Sequence, residues 1–377
     1  MNTFLSSAQE AIREKYLAFA SETVAPIVKG LESHEVCLKE FLQDLGQKGY
    51  LGISVPTEYG GQGNPFTFSC LFTEILGMHE PGLGLSLAGH YAAIEVLKKY
   101  GSDKQKSRYL PLLSRGELLA TLAFSEETAG TDFKAVLAQL TKDGDSYLLN
   151  AKKSWVVNGE ICGLALVLSK NLENSADPLA VAIVDLTEKS YVCSTDIRRM
   201  GLRSAYANNI EFKNQRLSAD NLIQSAAAEK IALFAMDIAK LVLAASSVGL
   251  SFSALNLAVT HARSREQFGA TIGQFQGIQW KLADICTEAE GARMQVLRAA
   301  WSLEAEPEKF STYASMSKWF AARVARQQSA EAMQVLGASG LLEDCPMEKL
   351  YRDAKAMEIC FGTSEAQKLQ LVDLLEI

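Results

Sequence analysis

The chain has 377 residues, of which 48% are hydrophobic and 21% are charged, and its formal net charge is −7. This length can bury a large core in two or three structural units, and the acidic balance argues against a general nucleic-acid-binding protein. Seven cysteines without C-x-x-C spacing and four scattered histidines show no metal-ligand pattern. We therefore expect no metal site and a reducing, cytoplasmic setting.

Helical patterns dominate the first zone, residues 1–118. Near its start, four apolar residues follow the spacing of one helical face: Leu5, Ile12, Tyr16 and Phe19. We interpret this segment as part of the fold and not as a targeting sequence. We identify no run of about 18 apolar residues and expect no membrane span.

The pattern changes in the second zone, residues 119–225, to short runs rich in Val, Leu and Ile that are separated by turn residues. The runs are SYLLNAKKSWVVNG, LALVLSK, PLAVAIVDL and NNIEFKN. Short runs of this composition, bounded by turns, are typical of strands joined by hairpins. The zone is therefore predicted to form an antiparallel β domain.

The third zone, residues 226–377, is rich in Ala, Leu, Gln, Glu and Lys, and it contains only two prolines. Its composition predicts long helices over residues 228–263, 272–303, 310–337, 347–358 and 364–375. The helix–sheet–helix order predicts an α+β protein in which a four-helix bundle follows the N-terminal helical domain and the central β domain.

Seven segments carry a resemblance to a known family. They are SVPTEYGGQG (54–63), YGSDKQKSRYLPLLSRGELLATLAFSEETAGTD (100–132), WVVNG (155–159), MGLRSAYANNIEF (200–212), HARSREQFGATIGQFQ (261–276), QVLGASG (334–340) and YRDAK with GTSEAQ (351–367). On these segments, which lie in order between about residue 45 and residue 367, the chain resembles the acyl-CoA dehydrogenases. Seven segments that match in the family's order support this resemblance much more strongly than a single matching segment would.

The resemblance implies a bound flavin adenine dinucleotide (FAD). Leu122, Phe124, Ser125 and Thr131 match the segment that lines the pyrimidine ring and the pyrophosphate. Hydroxyl groups are kept at both Ser125 and Thr131, so donors to anionic oxygens remain.

Two further residues match positions beside the flavin ring. Trp155 matches the tryptophan that packs against the isoalloxazine, and Val157 stands where the family has threonine. The threonine hydroxyl lies near flavin N5, and valine cannot replace its hydrogen bond. We therefore expect Val157 to change flavin reactivity more than flavin binding.

The remaining cofactor candidates are Arg265, Phe268, Gln276, Gln334, Gly337, Thr363 and Glu365. The first three are expected on one helix, and in the family the matching residues reach the FAD of a neighbouring subunit. An arginine suits a phosphate because its planar fork can bind two oxygens. A cofactor shared between subunits implies a homo-oligomer, a tetramer as in the family.

An acyl thioester is the substrate that the resemblance implies. Asp237 and Lys240 match a D-x-x-R pair near the pantetheine arm, and Thr131 is a further candidate for substrate binding. CoA and an acyl-carrier protein share the pantetheine arm, so both stay open as carriers. The alternative interpretation of Asp237 and Lys240 is a surface ion pair at i, i+3.

The catalytic base of the family is missing. The run that should contain its glutamate has Phe361 at that position, and the second location used by some members is Ala239. A benzene ring cannot accept the α-proton, which a positioned carboxylate removes in the family. Glu358 and Asp237 are weak candidates for a replacement. On a continuous helix Glu358 would lie within about 60° of the face of Phe361.

Three functions stay open. The first is an FAD-dependent oxidoreductase acting on the CH–CH group of an acyl thioester, with an electron-transfer flavoprotein as its acceptor by resemblance. The second is a flavin-dependent monooxygenase or oxidase on the same scaffold. The third is a non-catalytic protein that binds flavin or a thioester.

Overall fold

A computed structural model describes residues 7–173, 177–188 and 190–372 of the chain. Its first part is helical, as predicted, with helices α1 Ser7–Phe19, α2 Val28–Ser33, α3 Leu38–Gln47, α4 Phe66–Gly77, α5 Pro81–Tyr100 and α6 Asp103–Ser114. Of the four residues on the predicted first helical face, Tyr16 is buried, and Ile12 and Phe19 pack against the core. Leu5 lies outside the described residues.

The start of α6 shows how the sequence sets a helix boundary. The Ser102 hydroxyl accepts from the Gln105 N–H at 3.2 Å, and the Gln105 side-chain oxygen accepts from the Ser102 N–H at 2.9 Å. This reciprocal capping box satisfies two N–H groups that a helix start leaves free. The residues that follow α6 lead directly into the sheet.

The sheet contains seven strands: β1 Ala120–Ala123, β2 Gln139–Asp143, β3 Ser146–Val157, β4 Leu164–Asn171, β5 Leu179–Asp185, β6 Tyr191–Cys193 and β7 Ala207–Ser218. The predicted antiparallel pairing is found in four of the six strand pairs of this sheet, but β1 and β2 both pair with β4 in parallel. Parallel pairing needs a long connection. The β2–β3 hairpin lies between β1 and β4 in the sequence and supplies that length.

The C-terminal part consists of helices α7 Ala228–Ser264, α8 Gln276–Ala305, α9 Phe310–Leu336, α10 Pro346–Met357 and α11 Ser364–Val372. A two-stranded hairpin, β8 Glu266–Gln267 and β9 Ala270–Thr271, separates α7 from α8. The five predicted helices are confirmed over the described residues, and positions 373–375 of the last prediction lie outside them. The α+β fold class is also confirmed, whereas the domain limits at residues 118 and 225 stay a prediction.

Helix α7 is the one described helix that is long and apolar enough to cross a membrane. The expectation that the chain contains no segment of this length and hydropathy was therefore wrong. However, 89% of its apolar 18-residue window is buried inside the protein. A helix that is hydrophobic on all sides can be the core helix of a large protein, and α7 packs against α4, α5, α8 and α9 in that role.

Candidate functional site

Trp155 is presented by an irregularity in strand β3. The pairing of β3 with β7 shifts register between Lys153 and Val156, as at a β-bulge, and Trp155 has a positive φ of 58°. A bulge re-aims a side chain away from the regular pleat. The indole is 58% exposed, so a flat aromatic surface is uncovered at the end of β3.

Strand β1 and the residues after it lie against this end of β3. The Ser154 N–H donates to the Ser125 carbonyl at 2.9 Å, and the Thr121 hydroxyl donates to the Val157 carbonyl at 2.6 Å. These bonds tie the two chain segments together on either side of the bulge. The structure thus places five predicted residues on adjoining segments: Leu122, Phe124, Ser125, Trp155 and Val157.

A buried ion pair supports this junction, and the sequence analysis missed it. The Lys153 ammonium contacts the Glu126 carboxylate at 2.6 Å and donates to the Phe124 carbonyl at 3.2 Å. Burial lowers the pKa of Lys153 to about 8, against the opposing effect of Glu126. The missed signal was the period-2 alternation of β3, which places Lys153 at an inward position.

The expectation that Arg265, Phe268 and Gln276 share one helix was wrong. Arg265 follows the last residue of α7, Phe268 lies at the tip of the β8–β9 hairpin, and Gln276 is the first residue of α8. Phe268 and Gly269 have φ values of 53° and 76°, which no right-handed helix contains. All three predicted residues are exposed, and Phe268 retains 96% of its accessible surface.

Four predicted cofactor residues lie at helix ends. Gln334 is exposed on the last turn of α9, and Gly337 follows that helix with φ 59° and ψ −141°. Only glycine adopts this conformation without strain, and a Cβ there would meet no atom within 4 Å. At the start of α11, the Thr363 hydroxyl accepts from the Ala366 N–H at 3.3 Å. Glu365 is exposed on the first turn of α11.

The turn that contains Phe361 begins where α10 ends, at Met357. Phe361 has φ 52° and is half-buried. The core has two apolar clusters, a larger one that includes the sheet and a smaller one that contains Met357, and Phe361 packs at the edge of both. Helix geometry therefore does not relate Glu358 to Phe361, and the expected shared face was wrong. The Glu358 carboxylate instead contacts Arg326 and Lys355, each at 2.9 Å.

Asp237 and Lys240 form a buried ion pair, and the alternative of a surface pair was wrong. The Lys240 ammonium lies 2.8 Å from the Asp237 carboxylate and donates to the Gln370 side-chain oxygen at 2.9 Å. Both charged side chains are buried, so each offsets the desolvation of the other. Thr131 is exposed on the loop after β1, and no hydrogen bond joins it to this pair within the described ranges.

The signature YRDAK anchors the loop before β7 to α10. The Arg352 guanidinium donates to the Met200 carbonyl at 2.6 Å, and the Asp353 carboxylate accepts from the Leu202 N–H at 2.5 Å. Leu202 belongs to the apolar cluster against whose edge Val157 and Phe361 both pack. These anchoring roles were missed by the sequence analysis, because both partners are backbone groups about 150 residues away.

The helix–sheet–helix fold described above agrees with comparisons to known proteins. Three acyl-CoA dehydrogenase family profiles match the chain: the N-terminal domain at residues 6–117, the middle domain at 121–215 and the C-terminal domain at 229–375. The chain belongs to the acyl-CoA dehydrogenase family. A probable acyl-CoA dehydrogenase, YngJ of Bacillus subtilis, is 31% identical over 376 residues, which cover 98% of each chain.

Two solved structures of this acyl-CoA dehydrogenase fold are similar along their whole length. Butyryl-CoA dehydrogenase from Megasphaera elsdenii is 26% identical with a TM-score of 0.94, and the match covers 100% of both chains. The prolyl acyl carrier protein oxidase AnaB is 28% identical with a TM-score of 0.93, and the match covers 99% of this chain and 100% of that one. The predicted family membership is confirmed.

The family is FAD-dependent, and the exposed groups of this chain fit that cofactor. The uncovered indole of Trp155 and the protruding ring of Phe268 are apolar surfaces that lack a covering element in the described chain. The open space at Gly337 leaves backbone accessible. Within residues 7–173, 177–188 and 190–372, no group of three or more His, Cys, Asp or Glu residues could hold a metal ion.

Proposed function

We propose that this chain is an FAD-dependent oxidoreductase that acts on an acyl thioester without a carboxylate at the usual position of the base. The observation that carries the proposal is the uncovered indole of Trp155, which a β-bulge holds out beside β1. A buried tryptophan would serve the core, whereas an exposed flat ring at this place offers a wall for an isoalloxazine. Bound FAD would supply the acceptor for a hydride.

The chain's own residues would bind and orient the cofactor from two sides. From strand β1 and the loop that follows it, Leu122, Phe124, Ser125 and Thr131 would line the cofactor, and Trp155 of β3 would cover one face of the ring. Val157 would leave the site beside the ring without a side-chain hydroxyl. Thr363 and Glu365 would bind the same cofactor at the start of α11.

Residues at exposed helix ends and on the hairpin would bind the FAD of a neighbouring subunit in a homotetramer. Those residues are Arg265, Phe268, Gln276, Gln334 and Gly337. The exposure of the Phe268 ring supports this arrangement, because an apolar side chain with 96% of its surface accessible gains stability when a partner covers it. The Arg265 guanidinium is also exposed and suits the pyrophosphate.

The substrate would be an acyl group on CoA or on an acyl-carrier protein in the cytoplasm. Asp237 and Lys240 neutralise each other and are buried, so they suit the uncharged pantetheine arm better than a phosphate. Thr131, at the exposed loop, is the further candidate for substrate contact. An electron-transfer flavoprotein would take the electrons, as the resemblance implies.

The absence of a carboxylate at position 361 restricts the substrate. Phe361 offers no proton acceptor, and the Glu358 carboxylate is held by Arg326 and Lys355. An acyl group that makes the α-proton more acidic, as a heteroatom beside the reacting carbon would do, would allow water, a weak base, to accept that proton. The similarity to a prolyl acyl carrier protein oxidase supports a carrier-bound substrate of this kind.

A second candidate function is an oxidase or monooxygenase on the same scaffold. One observation favours it: Val157 and Phe361 both pack at the edge of one apolar cluster, at the two positions where the family carries a hydroxyl and a carboxylate. Apolar side chains at both positions remove polar groups from this side of the reacting centre. This change is compatible with oxygen as the electron acceptor.

The first experiment is an anaerobic visible spectrum of the purified protein during titration with short, medium and branched acyl-CoAs and with acyl-carrier-protein thioesters. We expect a yellow protein whose flavin band bleaches with a carrier-bound or heteroatom-bearing acyl group. Bleaching only by an external reductant, followed by oxygen consumption with product, would favour the oxidase. A protein that neither binds flavin nor changes with any thioester would contradict the proposal.

Replacing Glu358 with glutamine is expected to change the rate of thioester-dependent flavin bleaching by less than about fivefold. Its carboxylate is engaged by two cations at 2.9 Å, and a partly exposed ion pair contributes no more than about 1 kcal/mol. The rate constant should be measured by stopped-flow absorbance under anaerobic conditions. A loss of about 10²–10⁴-fold would instead identify Glu358 as the replacement base.

A further inference from the structure

The turn at position 361 is strained and is held from two neighbouring helices. Phe361 and Gly362 have consecutive positive φ values of 52° and 95°, and a non-glycine residue in that region costs about 1–3 kcal/mol unless its surroundings impose it. The Lys318 ammonium of α9 donates to the Glu358 carbonyl at 2.9 Å and also to the Gly362 carbonyl. From α11, the Gln367 amide donates to the Gly362 carbonyl at 3.3 Å.

Lys318 is placed here at a considerable energetic cost. Its side chain is buried, and among the described residues no carboxylate forms an ion pair with its ammonium. The titratable groups that face it are Cys360, Lys240, Glu358 and Glu365. Burial lowers the pKa of Lys318 to about 8, with Lys240 acting in the same direction. A buried, unpaired lysine that binds two carbonyls is better explained by a positioning role than by packing.

We propose that Lys318 is a positioning residue, which binds the backbone on both sides of position 361 and so fixes where that side chain lies in the site. Its donors bind carbonyl oxygens and not side chains, so these two hydrogen bonds do not require any particular side chain at position 361. Methionine would fill similar volume at position 318 but would leave both carbonyls without this donor. Any effect of Lys318 on substrate conversion rests on the proposed function, whereas its hydrogen bonds to the turn do not depend on that function.

Amide hydrogen exchange tests the role without any substrate. The Ile359 and Cys360 N–H groups donate to the Ala356 carbonyl at 3.0 Å and 3.1 Å and report opening of the turn. In Lys318→Met these two amides should exchange at least about tenfold faster than in the wild type, as expected when buried carbonyls lose their hydrogen-bond donor.

Two variants serve as matched controls at the same place. Ser317→Ala removes a buried hydroxyl that donates only to the Ala314 carbonyl of its own helix, at 2.9 Å, and should leave exchange at the turn unchanged. Phe361→Leu keeps an apolar side chain in the turn and should change exchange by less than about threefold. Equal protection in Lys318→Met and in the wild type, or a larger opening in Phe361→Leu, would overturn the proposal.

The wild-type protein supplies an independent test through pH. An opened turn exposes the ammonium to water and restores its ordinary pKa, whereas the closed turn holds a pKa of about 8. The closed turn thus binds the proton less tightly, and the neutral amine can still donate to both carbonyls, so raising the pH from about 7 to 9 should favour closure. After correction for intrinsic exchange, protection should increase with pH in the wild type. Flat or falling protection would contradict the role even if Lys318→Met failed to fold.

Discussion

Replacing Phe361 with glutamate is expected to raise the rate of anaerobic acyl-CoA dehydrogenation by about 10²–10⁴-fold, the usual contribution of a general base. The turn should accept the change, because its contacts from Lys318 and Gln367 reach the carbonyls of Glu358 and Gly362. Phe361 is only half-buried, so a carboxylate there keeps access to water and to substrate. The measurement is the rate of flavin bleaching with a plain acyl-CoA, which lacks a heteroatom beside the reacting carbon.

Phe361→Gln is the matched control for this gain. Glutamine has nearly the same shape as glutamate but cannot accept the proton, so it should stay at the wild-type rate. A rise in both variants would mean that removal of the ring, and not the new base, opens the site. No rise in either variant, together with intact flavin binding and thioester binding, would show that more than a base separates this chain from the family reaction.

Local patterns were sufficient for most of the helices. The low proline content after residue 226 and the Ala- and Leu-rich composition predicted α7 to α11 to within about four residues at every end that lies in the described part of the chain, because propensity and periodicity act within one turn. The same composition concealed the β8–β9 hairpin. Two consecutive positive φ values at Phe268 and Gly269 form a turn that a phenylalanine gives little reason to expect.

Long-range pairing was beyond the sequence analysis. The parallel partner of β1 is β4, more than 40 residues away in register, and runs of buried apolar residues carry no direction. The partners of Glu358 and of Asp237 raise a similar difficulty. Spacing alone placed Glu358 beside Phe361, whereas Arg326 from another helix holds its carboxylate, and only the packed structure shows that Asp237 and Lys240 are buried.

The site residues that motifs predicted could be found one by one, but their arrangement depends on groups without a motif. Lys153 with Glu126, and Lys318 beneath the turn, are buried charges whose partners lie on other elements. Sequence patterns treat a lysine as a surface residue, since lysines are rarely buried. In this chain several lysines hold carbonyls or carboxylates in place around the site.

The buried charge network around Lys349 leads to the prediction with the largest effect on stability. The Lys349 ammonium contacts the Asp353 carboxylate at 2.5 Å and the Glu80 carboxylate at 3.0 Å, and both carboxylates are fully buried. The Ser204 hydroxyl also donates to Glu80 at 2.8 Å. The network thus joins the segment before α5, the loop before β7 and α10.

Replacing Lys349 with methionine is therefore expected to lower the free energy of unfolding by about 3–5 kcal/mol at pH 7, because it leaves two buried carboxylates without their cation. Urea denaturation followed by circular dichroism measures the change. The control is Lys104→Ala, which breaks an exposed pair with Asp220 and should cost less than about 1 kcal/mol. Equal losses in the two variants would show that burial does not strengthen the network.

The loss of unfolding free energy in Lys349→Met is expected to depend on pH, because the same charged groups titrate. Burial opposes the charge on Lys349, but Asp353 and Glu80 outweigh it and raise its pKa; its contribution is therefore complete below the unfolded pKa and is lost only in strongly alkaline solution. Burial already raises the pKa of Glu80, against the lowering effect of Lys349. Without the lysine the pKa of Glu80 rises further. As the pH falls, the Glu80 carboxylate is therefore protonated in the folded variant before it is protonated in the unfolded chain. The difference in the free energy of unfolding between the wild type and Lys349→Met should become smaller from about pH 7 to pH 5. A difference that grows over this range would contradict a network in which Lys349 neutralises the two carboxylates.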